Sequence, residues 1–108
     1  MATPATTLSS ILTALEGAPG SVITSITGLF GGVKNTVTPM LGNVIANYNN
    51  PVFVTTEVNL ILMVQRINNY PNAVAGIKAL PSTCAAATAD PTKMAELSML
   101  VSAIETEL

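Results

Sequence analysis

The stretch SVITSITGLFGGVKNTVTPMLGNVIANY, residues 21–48, decides the fold class because its apolar residues keep a helical spacing along its whole length. They follow one another at intervals of one, three or four residues, which places them on one face of a helix. The apolar positions are Val22, Ile26, Leu29, Phe30, Val33, Val37, Leu41, Val44, Ile45 and Tyr48. Pro39 removes a backbone hydrogen bond and disfavours helix just before itself, so we expect a kink or a split near it.

The opposite face of this stretch carries small or neutral residues, with Lys34 as its only charge. Gly28 and Gly32 have the GxxxG spacing that lets two helices approach closely. We therefore predict a helix-packing interface in this region, formed by Ser25, Gly28, Leu29, Phe30, Gly32 and Val33. The alternative is that the glycines only loosen or break the helix, because glycine disfavours helix relative to alanine.

Helices are also predicted on both sides of this stretch. Residues 3–16 have helical spacing and Gly17 ends them. The cluster NYNNP at 47–51 predicts a turn and a possible sub-boundary. Residues 71–80 form a short helix bounded by Pro81, and 81–90 (PSTCAAATAD) a small-residue linker.

The last predicted helix begins after Asp90, which caps it, with Pro91 in the first position. Its apolar residues alternate spacings of three and four, the rhythm of packed helices. They are Met94, Leu97, Val101, Ile104 and Leu108. We add the first four of these to the predicted helix-packing interface.

Residues 52–67 fit two structures. Their apolar residues alternate as in a strand, but Val54, Val58 and Ile61 also suit a buried helix. Thr55 or Thr56 would cap that helix, with Glu57 in its first turn. We favour helix because a strand would have no partner among helical neighbours. The whole chain, residues 1–108, is thus predicted to be one all-α domain, a small bundle of five or six helices.

The composition argues against most kinds of chemistry. Hydrophobic residues make up 49% of the chain and charged residues only 9%, against about 25% in ordinary soluble domains. With no histidine and one cysteine, we expect no metal site, no cofactor and no enzymatic activity. The four scattered basic residues and the net charge of −2 argue against nucleic acid as a partner. No basic region precedes the first apolar run, so we expect no Sec signal peptide.

The remaining polar residues have ordinary explanations. Glu105 and Glu107 point to different faces of a helix end and suit a solvated tail better than paired acid–base catalysis. Cys84 lies among alanine and threonine with no neighbouring positive charge, so an inert, partly buried thiol is favoured over a redox role or an intermolecular disulfide.

These observations favour a non-enzymatic structural or assembly subunit whose partners are other copies of itself or other proteins. The shortage of charge and the abundance of Ala, Thr, Asn and Gly suit a virion, such as a bacteriophage particle, or a secretion or ejection machine. The first alternative is a membrane-active pore-forming or ejected protein, although the long charge-free stretches contain too many glycines, prolines and asparagines for a spanning helix. The second is a helical binding module or chaperone, with a groove lined by Met40, Met63, Met94 and Met99.

Overall fold

The computed structural model describes residues 10–14, 17, 19–65 and 70–108, and over these ranges the chain consists of helices and turns. This confirms the predicted all-α fold. Residues 10–14 are helical (α1), and they are followed by α2 (Gly20–Gly28), α3 (Val33–Ala46), α4 (Pro51–Gln65), α5 (Pro71–Ala89), a short 3-10 helix (Pro91–Lys93) and α6 (Met94–Glu107). The rest of the predicted helix 3–16 lies outside the described residues.

The long apolar stretch 21–48 is split in two, but not near Pro39 as predicted. The break lies at 29–32, between α2 and α3. Gly31 and Gly32 have φ of 92° and 113°, backbone angles that a helix cannot contain. The Gly32 N–H donates to the Thr27 carbonyl at 3.0 Å and closes α2. Pro39 lies inside α3, where it costs one hydrogen bond that the buried face of the helix offsets.

The predicted turn at 47–51 is confirmed. The Asn50 N–H donates to the Asn47 carbonyl at 2.9 Å, and α4 begins at Pro51. The favoured helix at 52–67 is confirmed as far as Gln65, the last described residue of that segment.

The start of α4 corrects the predicted cap. The side-chain oxygen of Asn50 accepts from the Phe53 N–H at 3.2 Å, so Asn50 and not Thr55 or Thr56 satisfies the first turn. Thr56 lies within the helix, where its hydroxyl donates to the Val52 carbonyl at 2.9 Å. Because the helix begins earlier than predicted, Glu57 lies in its second turn rather than its first.

The predicted break at Pro81 and the linker 81–90 are wrong. Helix α5 continues through Pro81 to Ala89. Proline has no N–H to donate to the Ile77 carbonyl, but this costs one bond and does not end the helix. The residues that follow are rich in alanine, the best helix former, and Leu80, Cys84 and Ala87 form one buried stripe. Burial of that stripe keeps the segment helical.

The predicted start of the last helix is confirmed. The Asp90 carboxylate accepts from the Thr92 N–H at 3.1 Å and from the Thr92 hydroxyl at 2.7 Å. Pro91 opens the short 3-10 helix, and α6 follows without a further loop. Asp90 thus caps the short 3-10 helix that connects α5 to α6.

The hydrophobic core takes buried side chains from α1, α3, α4, α5 and α6. Helix α2 lies at its edge. Only Ile23 and Thr27 of α2 are buried, and its closest link to the core is the half-buried Ile26. The core therefore does not depend on covering the outer side of α2.

Helices α5 and α6 approach each other closely at Gly76 of α5. A Cβ atom added there would lie 2.8 Å from Cγ1 of Ile104 and 3.4 Å from Cδ1 of Leu100, both on α6. The glycine therefore lets α6 pack directly against the backbone of α5. Gly28 and Gly32, the pair predicted to do this, have nothing within 4 Å of an added Cβ.

Candidate functional site

The predicted glycine-marked interface does not lie on one helix. Gly28 is the last residue of α2, and Gly32 is the residue before α3, so the two are not stacked on successive turns. The GxxxG interpretation is therefore wrong, and the alternative, a broken helix, is what the structure contains. Of the other predicted residues in this region, Val33 is buried and Phe30 is half-buried against the core.

What remains exposed is a continuous strip on α2 and the turn after it. Each of its members lies three or four residues from another member, a spacing that places side chains side by side on a helix. We name this strip the uncharged α2 face, and it consists of Ser21, Val22, Ser25, Gly28 and Leu29. Leu29 is 85% exposed, the largest value among the exposed large hydrophobic residues of the described chain.

The hydroxyl groups of Thr24 and Ser25 donate to the backbone of α2 itself. Ser25 donates to the Ser21 carbonyl at 3.1 Å, and the neighbouring Thr24 donates to the Gly20 carbonyl at 2.9 Å. A hydroxyl carries one proton, so these groups have no second hydrogen to offer water or a partner. The uncharged α2 face is therefore less polar than its composition suggests.

Charge is distributed unevenly along the chain. In the described part of residues 10–65, Lys34 is the one exposed charged side chain, because Glu57 is buried. Residues 70–108 carry six charged side chains on or beside α5 and α6, namely Lys78, Asp90, Lys93, Glu96, Glu105 and Glu107. The described surface of α2 and its neighbours therefore carries little charge.

The interface residues predicted on α6 lie inside the molecule. Leu97, Val101 and Ile104 are buried in the core, and Met94 packs against it from a half-buried position. Helix α6 packs mainly on α5 and also on α3. The spacing of these residues thus correctly identified a packed face, but the partners are helices of the same chain. This corrects the prediction that α6 offers that face to another subunit.

The four methionines do not line one groove. Met40 is fully buried in α3, whereas Met99 is 72% exposed on α6. Met63 lines a pocket between α1 and α4 with Thr13 and Asn59. A surface groove cannot include a fully buried side chain, so the arrangement proposed for a chaperone is not present.

A polar pocket of about 270 Å³ lies where α1, α3 and α4 meet. Its base includes the Glu57 carboxyl group, on a residue only 2% exposed. The side-chain amide of Asn43 donates to Glu57 Oε2 at 3.4 Å, and the amide of Asn47 donates to the Asn43 carbonyl at 2.9 Å. Phe53 and Leu60 complete the apolar part of the lining.

Sequence reasoning missed this pocket because it assigned Glu57 to the first turn of the helix and not to its buried face. The spacing of Glu57 from the apolar residues of the same segment could have indicated that it is buried. Glu57 lies three residues after Val54 and four before Ile61, so it shares their buried helix face. A carboxylate is almost never buried without compensating partners, which makes a glutamate on such a face notable.

A second pocket, of about 260 Å³, lies between α4 and α5 and is mainly apolar. Its lining includes Tyr48, Val54, Pro81 and Cys84. Burial raises the pKa of the Cys84 thiol, because a thiolate would lose its hydration there. The structure thus places Cys84 deeper than the partly buried position predicted for it.

Two further features bear on function. Among the described residues, no group of three or more His, Cys, Asp or Glu side chains is placed to hold a metal ion. In the same ranges, no helix combines the length and apolar character needed to cross a membrane.

Comparison with protein-family models, with curated proteins and with solved structures finds no match to this chain.

Proposed function

We propose that this chain is a non-enzymatic structural or assembly subunit that associates with other copies of itself or with other protein subunits. The observation that carries the proposal is the uncharged α2 face, with Leu29 85% exposed at its end. A virion, such as that of a bacteriophage, or a secretion or ejection machine is the setting we favour. The composition supports this setting, because charged residues are depleted at the cores of protein interfaces.

The energetics of this face suit protein contact. Burying a leucine side chain contributes about 1.5–3 kcal/mol, and Leu29 retains most of that potential in the isolated chain. A partner covering the face would displace water from Val22 and Leu29 without desolvating any ion. The inward hydrogen bonds of Thr24 and Ser25 lower the desolvation cost further, since their protons already have acceptors.

The uneven distribution of charge indicates which part of the subunit contacts its partner. The six charged residues of 70–108 keep the α5–α6 region hydrated, while Lys34 is the one exposed charged side chain in the described part of residues 10–65. A subunit with one solvated side and one neutral side associates through the neutral one, because like-charge repulsion and ion desolvation are both smallest there.

Light scattering coupled to size-exclusion chromatography tests the proposal over a range of concentrations. We expect the mean mass to rise with concentration, and Leu29→Lys to shift the equilibrium towards monomer. Met99→Lys is the matched control, since Met99 is 72% exposed on the charged side and receives the same change. A well-behaved monomer at high concentration, or equal effects of the two substitutions, would overturn the proposal.

A membrane-active role is the alternative, because exposed Val22 and Leu29 also suit a lipid surface. The α2 face carries no Lys or Arg, which interfacial helices normally use to bind headgroups. Flotation with neutral phosphatidylcholine vesicles separates the two roles. We expect the protein to stay unbound, and strong co-flotation would favour the membrane-active role.

A further inference from the structure

The apolar pocket of about 260 Å³ between α4 and α5 has walls that belong to the hydrophobic core. On the α5 side, each lining residue lies three or four positions from another, so they share one face of that helix. They are Pro81, Cys84, Ala85, Thr88 and Ala89. Val54 of α4 and Cys84 of α5 line the pocket from the two helices, and each is 1% exposed. Because core packing holds both walls, the pocket is preformed.

The described lining of the apolar pocket carries no Asp, Glu, Lys or Arg side chain. An ion that entered would lose its hydration without gaining a partner of opposite charge, which is costly. An apolar group would instead leave water for a surface made largely of Val, Pro and Ala side chains. The lining therefore selects an uncharged, mainly apolar molecule.

The wall of the pocket also contains a hydrogen-bond acceptor that shares its donor. The Thr88 hydroxyl lies 2.8 Å from the Cys84 carbonyl oxygen and 3.3 Å from the Tyr48 carbonyl oxygen. A hydroxyl group has one proton, and the shorter contact takes the larger part of it. The Tyr48 carbonyl, with two lone pairs, can accept a further and better hydrogen bond. Tyr48 and Thr88 both line the pocket, which places this pair of groups at its wall.

We propose that the apolar pocket binds a small neutral alcohol, with its apolar body between the two helices and its hydroxyl group donating to the Tyr48 carbonyl. Amines and carboxylic acids are ionised at neutral pH, which leaves the hydroxyl group as the simplest neutral donor. The volume of about 260 Å³ is near the lower end of ligand pockets, so the molecule is small. The inference goes beyond the proposed assembly role and does not depend on it, since no residue of the uncharged α2 face lines the pocket.

An apolar side chain from a second copy of the chain is the competing occupant. The exposed large hydrophobic residues available for this, such as Leu29, Val52 and Met99, bring no side-chain donor to the Tyr48 carbonyl. The shared acceptor therefore favours the alcohol. Occupation by a second copy would also make the resonances of the pocket depend on protein concentration, whereas binding of an alcohol is measured at one protein concentration.

Titration of the isotopically labelled full chain with hexan-1-ol, followed by amide chemical shifts, tests the site. We expect saturable shifts at Val54, Cys84 and Ala85, and none there with hexylammonium chloride or sodium hexanoate at the same concentrations. Affinity should rise about fourfold for each methylene from butan-1-ol to hexan-1-ol, the gain from burying one such group. Pentyl methyl ether, an isomer of hexan-1-ol without an O–H group, should bind about fivefold more weakly because it cannot donate to the Tyr48 carbonyl.

Two matched variants separate the pocket from the rest of the surface. Ala85→Leu should weaken binding of hexan-1-ol at least about tenfold, because the larger side chain extends from the wall into the space that the ligand would fill. Ala75→Leu makes the same change at an exposed position of α5 outside the lining and should leave the affinity unchanged. The ligand comparisons use the unaltered chain, so they remain decisive if a variant does not fold.

Four results of the titrations would overturn the proposal. They are equal shifts with hexanoate or hexylammonium, equal affinity for the ether and the alcohol, full affinity in Ala85→Leu, and no shift of the pocket resonances with hexan-1-ol. Pocket resonances that move on dilution without any ligand would assign the pocket to a second copy of the chain and overturn it as well.

Discussion

Replacing Gly76 with alanine tests how α5 and α6 are held together. The new Cβ would lie 2.8 Å from Cγ1 and 3.3 Å from Cδ1 of Ile104. Carbon atoms in contact normally lie about 3.5–4.0 Å apart. Cγ1 is attached directly to Cβ of a buried, branched side chain, so it cannot swing away as a flexible chain end would. Either Ile104 leaves its preferred rotamer or α6 moves away from α5.

Two opposing effects set the magnitude. Overpacking of this kind costs about 1–3 kcal/mol. Replacing a helical glycine with alanine stabilises the folded state by about 0.5–1 kcal/mol. The net loss for Gly76→Ala is therefore about 0–2.5 kcal/mol. Gly42→Ala is the matched control, because Gly42 is an exposed residue of α3 with nothing within 4 Å of an added Cβ. It should stabilise the protein by about 0.5–1 kcal/mol.

Urea denaturation followed by circular dichroism measures the free energy of unfolding of both variants. We expect them to differ by about 1–3 kcal/mol, with Gly76→Ala the less stable. Adding Ile104→Val to Gly76→Ala removes the Cδ1 methyl, so it should cost less there than it does in the unaltered chain. If Gly76→Ala is as stable as Gly42→Ala, the close approach of α5 and α6 is refuted.

Three further predictions concern burial and capping. Leu97→Ala should lower the free energy of unfolding by about 2–5 kcal/mol, because Leu97 is fully buried. Met99→Ala should change it by less than about 0.5 kcal/mol, because Met99 is exposed. Equal effects of the two substitutions would contradict the orientation of α6. Asp90→Ala should cost about 1 kcal/mol in the same urea experiment, since the Thr92 N–H loses its acceptor, and an unchanged midpoint would argue against the cap. The Cys84 thiol should react slowly with a soluble disulfide reagent in buffer and rapidly in urea. Burial in the folded protein raises the pKa of the thiol and keeps the reagent away from it. Rapid reaction of the folded protein would contradict the buried position of Cys84.

The positions of the helix breaks show where sequence patterns succeed and fail. Both prolines that were expected to interrupt helices, Pro39 and Pro81, lie inside them. A proline removes one hydrogen bond at a cost of about 3 kcal/mol, and burial of an apolar stripe on the same helix offsets that cost. The break at 29–32 arises instead from two successive glycines with positive φ. The local conformational preferences of proline and glycine predicted each candidate helix break. Which helices actually end there depends on how the whole chain packs.

Glu57 illustrates a second limit of the sequence. Helical spacing places it on the buried face of α4, but spacing cannot tell which groups compensate the carboxylate. The Asn43 amide that donates to it comes from the preceding helix, fourteen residues earlier in the chain. Contacts of this kind depend on how α3 and α4 pack, so the polar pocket was not predictable from either segment alone.

An amphipathic pattern identifies a face that becomes buried, but it does not identify what buries it. The apolar residues of α6 have the spacing expected of a subunit interface, and α5 and α3 cover them within the same chain. Only apolar residues that stay exposed once this core is complete can contribute binding energy to a partner. On α2 and the turn after it, Ile23 and Ile26 do not meet this condition, because they are buried or half-buried. Val22 and Leu29 are exposed and meet it. The candidate contact surface is therefore smaller than the pattern predicted, and the two lysine substitutions at Leu29 and Met99 test it directly.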